Sequence, residues 1–151
     1  MQLSSEFARL NCETILVLED EPLIASDLVI SLEDAGAKAV VICNIADALW
    51  TAKQPAISAA LLDLRIGDKL CLEVCELLAD RGVPFVIYSG DCSAFNSDKW
   101  PNAQCISKPA SWGEISAALA KACNRDAVEN RTPSALSGGS EQPNAMMSPE
   151  T

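Results

Sequence analysis

A chain of 151 residues, 49% of them hydrophobic, is long enough to bury one substantial core and short for two domains. Its formal charge of −10 argues against direct binding to nucleic acid or anionic membrane, since both reward Lys and Arg. With no His, no membrane-length apolar run and no signal-peptide layout at the N-terminus, imidazole catalysis is removed and a cytoplasmic protein is expected.

Residues 1–12 read as a short lead-in to a domain spanning 13–125. Thr14 to Leu18 (TILVL) is a continuous apolar and β-branched run, hence a buried strand, and it ends in Glu19-Asp20-Glu21. Pro22 suits the first turn of a helix, where its missing N–H costs nothing. Ile24, Leu28 and Leu32 recur at helical spacing up to Ala35, and Gly36 is a natural C-cap. Ala39 to Cys43 is the second strand, and Asn44 caps a short helix through about Lys53. Ile57 to Leu62 is the third strand, delivering Asp63 at its carboxyl end. Leu70, Val74, Leu77 and Leu78 mark a third helix closed by Gly82. Pro84 to Tyr88 is the fourth strand, ending at Ser89-Gly90.

Residues Ser93 to Trp100 have a poor helical pattern, and Pro101 halts whatever forms there. Gln104 to Ile106 is a short fifth strand, followed by Ser107-Lys108-Pro109. Ser111 and Glu114 have the spacing of a capping box, opening a last helix with Trp112, Ile115, Leu119 and Ala122 on one face. From about 126 the chain turns rich in Pro, Gly and Ser, and the segment 126–151 is expected to be a disordered tail. Strand and helix alternate throughout, so the fold class is α/β, a parallel sheet with helices on both faces. The seven cysteines, Cys12, Cys43, Cys71, Cys75, Cys92, Cys105 and Cys123, contain no C-x-x-C pair. In a reducing compartment most are expected to be small buried apolar residues rather than metal ligands or disulfides. The three Trp residues are expected to pack at core edges.

In a parallel sheet all carboxyl ends point the same way, so residues distant in sequence converge on one rim. That rim receives Glu19 and Asp20 from strand one, Asp63 from strand three, Ser89 from strand four and Lys108 from strand five. Three close carboxylates repel one another and favour a divalent cation, and oxygen donors without His point to Mg²⁺ or a similar hard ion. A lysine and a hydroxyl opposite such an ion suit a tetrahedral anion.

The set ILVLEDEP, LLDLR, VIYSG and ISKP resembles the receiver domain of two-component response regulators, over residues 14–124. The resemblance implies a flavodoxin-like, doubly wound sheet of order 2-1-3-4-5 and a single-domain response regulator. Asp63 is similar to the aspartate that accepts a phosphoryl group from a phosphohistidine. Glu19, Asp20, Asp63 and the backbone carbonyl of Arg65 would hold Mg²⁺, while Ser89 and Lys108 would bind phosphoryl oxygens. Pro109 would follow a cis peptide bond. The implied partner is a sensor histidine kinase or a histidine phosphotransfer protein, docking on the first helix and the loop after Pro109, with no nucleic acid and no membrane. Homodimerisation through the last strand and the helices beside it is left open.

One residue departs from the pattern: Cys105 stands where receivers commonly carry a switching aromatic. Two alternatives follow. One is a receiver-like interaction module that works without phosphate. The other is a phosphatase with Asp63 as nucleophile, although hydrolases of the haloacid dehalogenase type want a second acid at the position of Arg65.

Overall fold

The computed structural model describes residues 10–11 and 13–124; the expected disordered tail and most of the lead-in lie outside the described residues. Strands β1 (Thr14–Leu18), β2 (Lys38–Ile42), β3 (Ala59–Leu62), β6 (Phe85–Ser89) and β7 (Gln104–Ser107) form one five-stranded sheet. The order is β2-β1-β3-β6-β7 and every pairing is parallel. Two further strands, β4 (Arg65–Ile66) and β5 (Lys69–Leu70), make a separate antiparallel hairpin. Setting that hairpin aside, the order is the expected 2-1-3-4-5.

Alternation along the strands sorts the core into two layers. Leu16, Leu18, Ala60, Leu62 and Ile87 face the helices α2 (Ile45–Ala52) and α3 (Leu72–Asp80), packing with Ala48, Ala52, Val74, Cys75 and Leu78. Ile15, Val17, Ala59, Leu61 and Val86 face α1 (Pro22–Asp34) and the last helix, α4 (112–124), packing with Leu28, Leu32, Ile115 and Leu119. Leu10, ahead of β1, is also buried, and its N–H donates to Ala35 at 2.9 Å. Gly36 ends the α1 turn at φ 98°, a left-handed conformation that disfavours any side chain. A Cβ there would also run into the side chain of Asn11. Among the described residues no helix is long and apolar enough to cross a membrane.

Several boundaries differ from the sequence reading. The second strand begins and ends one residue earlier than 39–43, which leaves Cys43 exposed, and the third begins at Ala59 rather than Ile57. Leu70 belongs to the hairpin and not to the third helix. Gly67, at φ 63°, reverses the chain so that Arg65 pairs with Leu70 and Ile66 with Lys69. After β6 there is only a 3₁₀ turn, Cys92–Ala94, where a brief helix was expected to be marginal. Side chains there compete with a helical backbone: Asp91 accepts from the Ser93 N–H at 3.0 Å, and Asn96 accepts from the Asp98 N–H at 3.0 Å.

Two aromatic rings take up the core position of the missing helix. Phe95 stacks on Trp100 with centroids 5.5 Å apart, and Trp100 meets Phe85 edge-on at 6.3 Å. Trp100 therefore packs as expected, with 8% exposure, whereas Trp50 on α2 is 66% exposed. Trp100→Ala should remove the anchor of the segment 95–103 and cost about 3 kcal/mol in urea unfolding. A loss below about 1 kcal/mol would mean the segment is held by something else.

Candidate functional site

Backbone hydrogen bonds at three strand junctions set the height of the rim. The Asp63 N–H donates to Leu18 at 2.8 Å, the Glu19 N–H to Ile42 at 3.0 Å, and the Lys108 N–H to Ser89 at 2.8 Å. Glu19, Asp63, Ser89 and Lys108 are thereby brought level at the carboxyl edge. Carboxylate oxygens of Glu19, Asp20 and Asp63 all lie within 4.8 Å of one another. Glu19 and Asp63 are buried and Asp20 is exposed, so the cluster is open on one side.

Lys108 closes the opposite side. Its Nζ donates to Glu19 Oε1 at 2.9 Å and to Asp63 Oδ2 at 3.0 Å. The side chains are 18%, 2% and 10% exposed respectively, so little water competes for these bonds. The amine also sits 5.4 Å from the centroid of the Tyr88 ring. The Tyr88 hydroxyl accepts from the Ala110 N–H at 3.3 Å, just after a cis bond between Lys108 and Pro109, the bond expected from the sequence. Burial pushes the Glu19 carboxyl above the usual range, against the downward pull of the hydrogen bonds from Lys108 and from the Glu21 N–H. Burial likewise pulls on the Lys108 amine, but its bonds to Glu19 and Asp63 outweigh that effect and leave it above the ordinary lysine value.

Local contacts fix the acids. Glu19 Oε2 accepts from the Glu21 N–H at 3.0 Å, holding the entry to α1. Asp20 Oδ2 accepts from the Gly67 N–H at 3.0 Å, so the hairpin that the sequence reading missed positions a carboxylate of the cluster. The signal for it was present as Gly67-Asp68 between two short runs. An open cleft of about 290 Å³ lies beside the cluster, lined by Asp63, Arg65, Ser89, Asp91, Ala94 and Lys108 among others. Ser89 is buried at the end of β6, and its Oγ accepts weakly from the Asp91 N–H at 3.4 Å. Arg65 starts the hairpin with an exposed side chain whose charge contributes to lowering the Asp91 carboxyl. The larger causes of that lowering are the hydrogen bonds Asp91 takes from Ser93.

The cysteines divide more sharply than expected. Cys71 and Cys75 are buried as read from the sequence, and a hydrogen bond between them plus burial pushes the Cys75 thiol far up. Cys43 is exposed and Cys123 half-buried. Cys105, at the site of the departure noted above, is joined to Cys92 in a disulfide with Cα atoms 6.0 Å apart. The expectation against disulfides is thus corrected. A separation of 13 residues carries no local signature, and only the pairing of β6 with β7 brings the two together.

No family model matches the sequence. The chain is similar to the DNA-binding response regulator MtrA of Mycolicibacterium smegmatis (strain ATCC 700084 / mc(2)155), 36% identical over 76 residues. That match covers 50% of this chain and 33% of MtrA, so the chain spans about a third of that relative. It superposes on a CheY-like response regulator receiver domain protein from Methanospirillum hungatei JF-1 with a TM-score of 0.69 and 20% identity, covering 78% of this chain and 98% of the other. It also superposes on the receiver domain of the sensor histidine kinase PA1611 from Pseudomonas aeruginosa PAO1, solved with a magnesium ion in its active-site cleft. There the TM-score is 0.63 at 18% identity, over 74% of this chain and 98% of the other.

Lys108→Ala should leave two buried carboxylates facing each other without their shared cation. The expected loss is about 2 kcal/mol in urea unfolding, and Asp63→Asn added to it should recover part of that loss. Strictly additive effects of the two substitutions would show that the pair does not interact.

Proposed function

We propose that this chain, which has the fold of response-regulator receiver domains, accepts a phosphoryl group on Asp63 from a partner's phosphohistidine, in a Mg²⁺-dependent phosphorelay. The observation that carries the reading is the bridging of Glu19 and Asp63 by Lys108, beside Asp20 and an open cleft. Donors of this kind fit a hard cation: three carboxylates from two strand ends, open on one side, to which the proposal adds the backbone carbonyl of Arg65. The magnesium reported for the PA1611 receiver belongs to that protein, and its transfer to this chain is part of the proposal. A bound Mg²⁺ would supply charge neutralisation between attacking and transferred oxygens.

In the proposed step an Asp63 carboxylate oxygen attacks phosphorus and forms an acyl phosphate. The phosphorus–nitrogen bond breaks and its electron pair returns to the imidazole of the partner. Lys108, already hydrogen-bonded to Asp63, shifts its amine to a phosphoryl oxygen, and Ser89 donates its hydroxyl to another. Receiver domains act as signalling modules, so one phosphoryl group per chain is expected rather than turnover. The first helix offers an apolar contact beside the rim, with Leu23 75% exposed, for a histidine kinase or phosphotransfer protein to cover. The DNA binding named for MtrA is that protein's own, and a charge of −10 speaks against transferring it here.

Acetyl phosphate with Mg²⁺ should label the wild-type chain stoichiometrically, with the label lost in Asp63→Asn and on chelation of the metal. Lys108→Ala should slow labelling about a hundredfold. Absence of any Asp63-dependent label would leave a phosphate-independent interaction module as the better reading. Sustained hydrolysis of a generic phosphate ester would favour the phosphatase instead.

A further inference from the structure

The disulfide occupies a position unlike that of any other described cysteine. Cys92 follows Ser89 by three residues, and Cys105 precedes Lys108 by three. β6 and β7 are in register here, Ile87 opposite Cys105 and Ser89 opposite Ser107, so the bridge joins the loop leaving β6 to the strand that leads into Lys108. Cys92 also accepts a weak hydrogen bond from the Ser107 hydroxyl, at 3.7 Å. Gly90, Asp91 and Ala94, the residues around Cys92, line the cleft beside Asp63. The bridge therefore fastens one wall of that cleft.

We infer that Cys92 and Cys105 are a redox-reversible tether, through which a small-molecule disulfide or thiol sets how freely the segment 90–103 moves at the anion site. Both cysteines are partly exposed, within reach of a small reagent, while Cys71 and Cys75 are sealed in the core. A Cα separation of 6.0 Å is one that a disulfide spans without backbone movement. In the forward direction the Cys92 thiolate attacks one sulfur of a low-molecular-weight disulfide, and one small thiolate leaves. The Cys105 thiolate then attacks the Cys92 sulfur and expels the second. Two protein thiols become one protein disulfide, and the reagent takes up both electrons and both protons as two small thiols. A small thiol in excess reverses the exchange. When bridged, the loop after Ser89 moves only together with β7. When reduced, it is held mainly by Phe95 and Trp100, and its end next to Ser89 can follow an anion bound at Lys108.

The tether itself stands on the cysteine geometry, and its effect on anion binding rests on the phosphoryl reading above. The full chain would be equilibrated in glutathione buffers of graded oxidation and alkylated after acid quenching, and its peptides mapped. The expected product is a Cys92–Cys105 cross-linked peptide that disappears reversibly with reduction, while Cys71 and Cys75 are recovered as thiols. Oxidised protein should show slower hydrogen exchange over 90–103, and a half-saturating beryllofluoride concentration, measured with Mg²⁺, shifted about tenfold from the reduced form. In Cys92→Ser and in Cys105→Ser both differences should vanish. A missing cross-link, or a cross-link with unchanged exchange and unchanged beryllofluoride binding, overturns the inference. No beryllofluoride binding in either redox state overturns the coupling together with the phosphoryl reading, and the intact cross-linked peptide tells that failure from loss of the tether.

Discussion

Two buried carboxylates share one amine, and the rim of this sheet depends on that sharing. Glu19 and Asp63 reach Lys108 at 2.9 and 3.0 Å from the ends of different strands. Without a cation between them, burial would raise the energy of both anions, as the upward push on Glu19 records. The amine serves as an internal counter-ion that leaves Asp20 and the outer side open. A site so arranged is assembled before any ligand arrives, and a ligand cation or anion enters by rearranging charges already in place.

The scaffold beneath follows from strand alternation. Leu16 and Leu18 look toward α2 and α3, Ile15 and Val17 toward α1 and α4, and the same two-faced pattern runs through β3 and β6. One crossover of the sheet has no α-helix. Between β6 and β7 the chain uses a 3₁₀ turn, a stacked Phe95–Trp100 pair and a disulfide instead. Short irregular chain has fewer backbone hydrogen bonds to hold it than a helix, so side-chain anchors carry more of its order. That is the same segment whose first residues line the cleft, and its anchoring is therefore part of the site.

Much of this was legible in residue order alone. Continuous apolar runs flanked by turn residues marked the five strands, Asn44 and the Ser111–Glu114 pair marked helix starts, and strand-end acids marked the rim. Both caps are present: the Asp47 N–H donates to Asn44 at 2.8 Å, and the Glu114 N–H donates to the Ser111 hydroxyl at 3.1 Å. These features are local, set within a few residues by periodicity, capping and turn chemistry. The hairpin at 65–70 escaped because strands of two residues leave no period to detect, and Leu70 happens to stand at helical spacing from Val74.

What the folded chain decided lies at long range. The amine of Lys108 is 89 residues from Glu19, and only the β6–β7 pairing and the crossover order bring them together. The Gly67 amide on Asp20 depends on the pairing of β1 with β3, and the Cys92–Cys105 bridge on that of β6 with β7. Composition and local pattern determined which groups were supplied, their charge and the edge they would reach. Which of them touch was settled by strand register, because side-chain contact between distant segments is a property of packing and leaves no periodic trace in the chain.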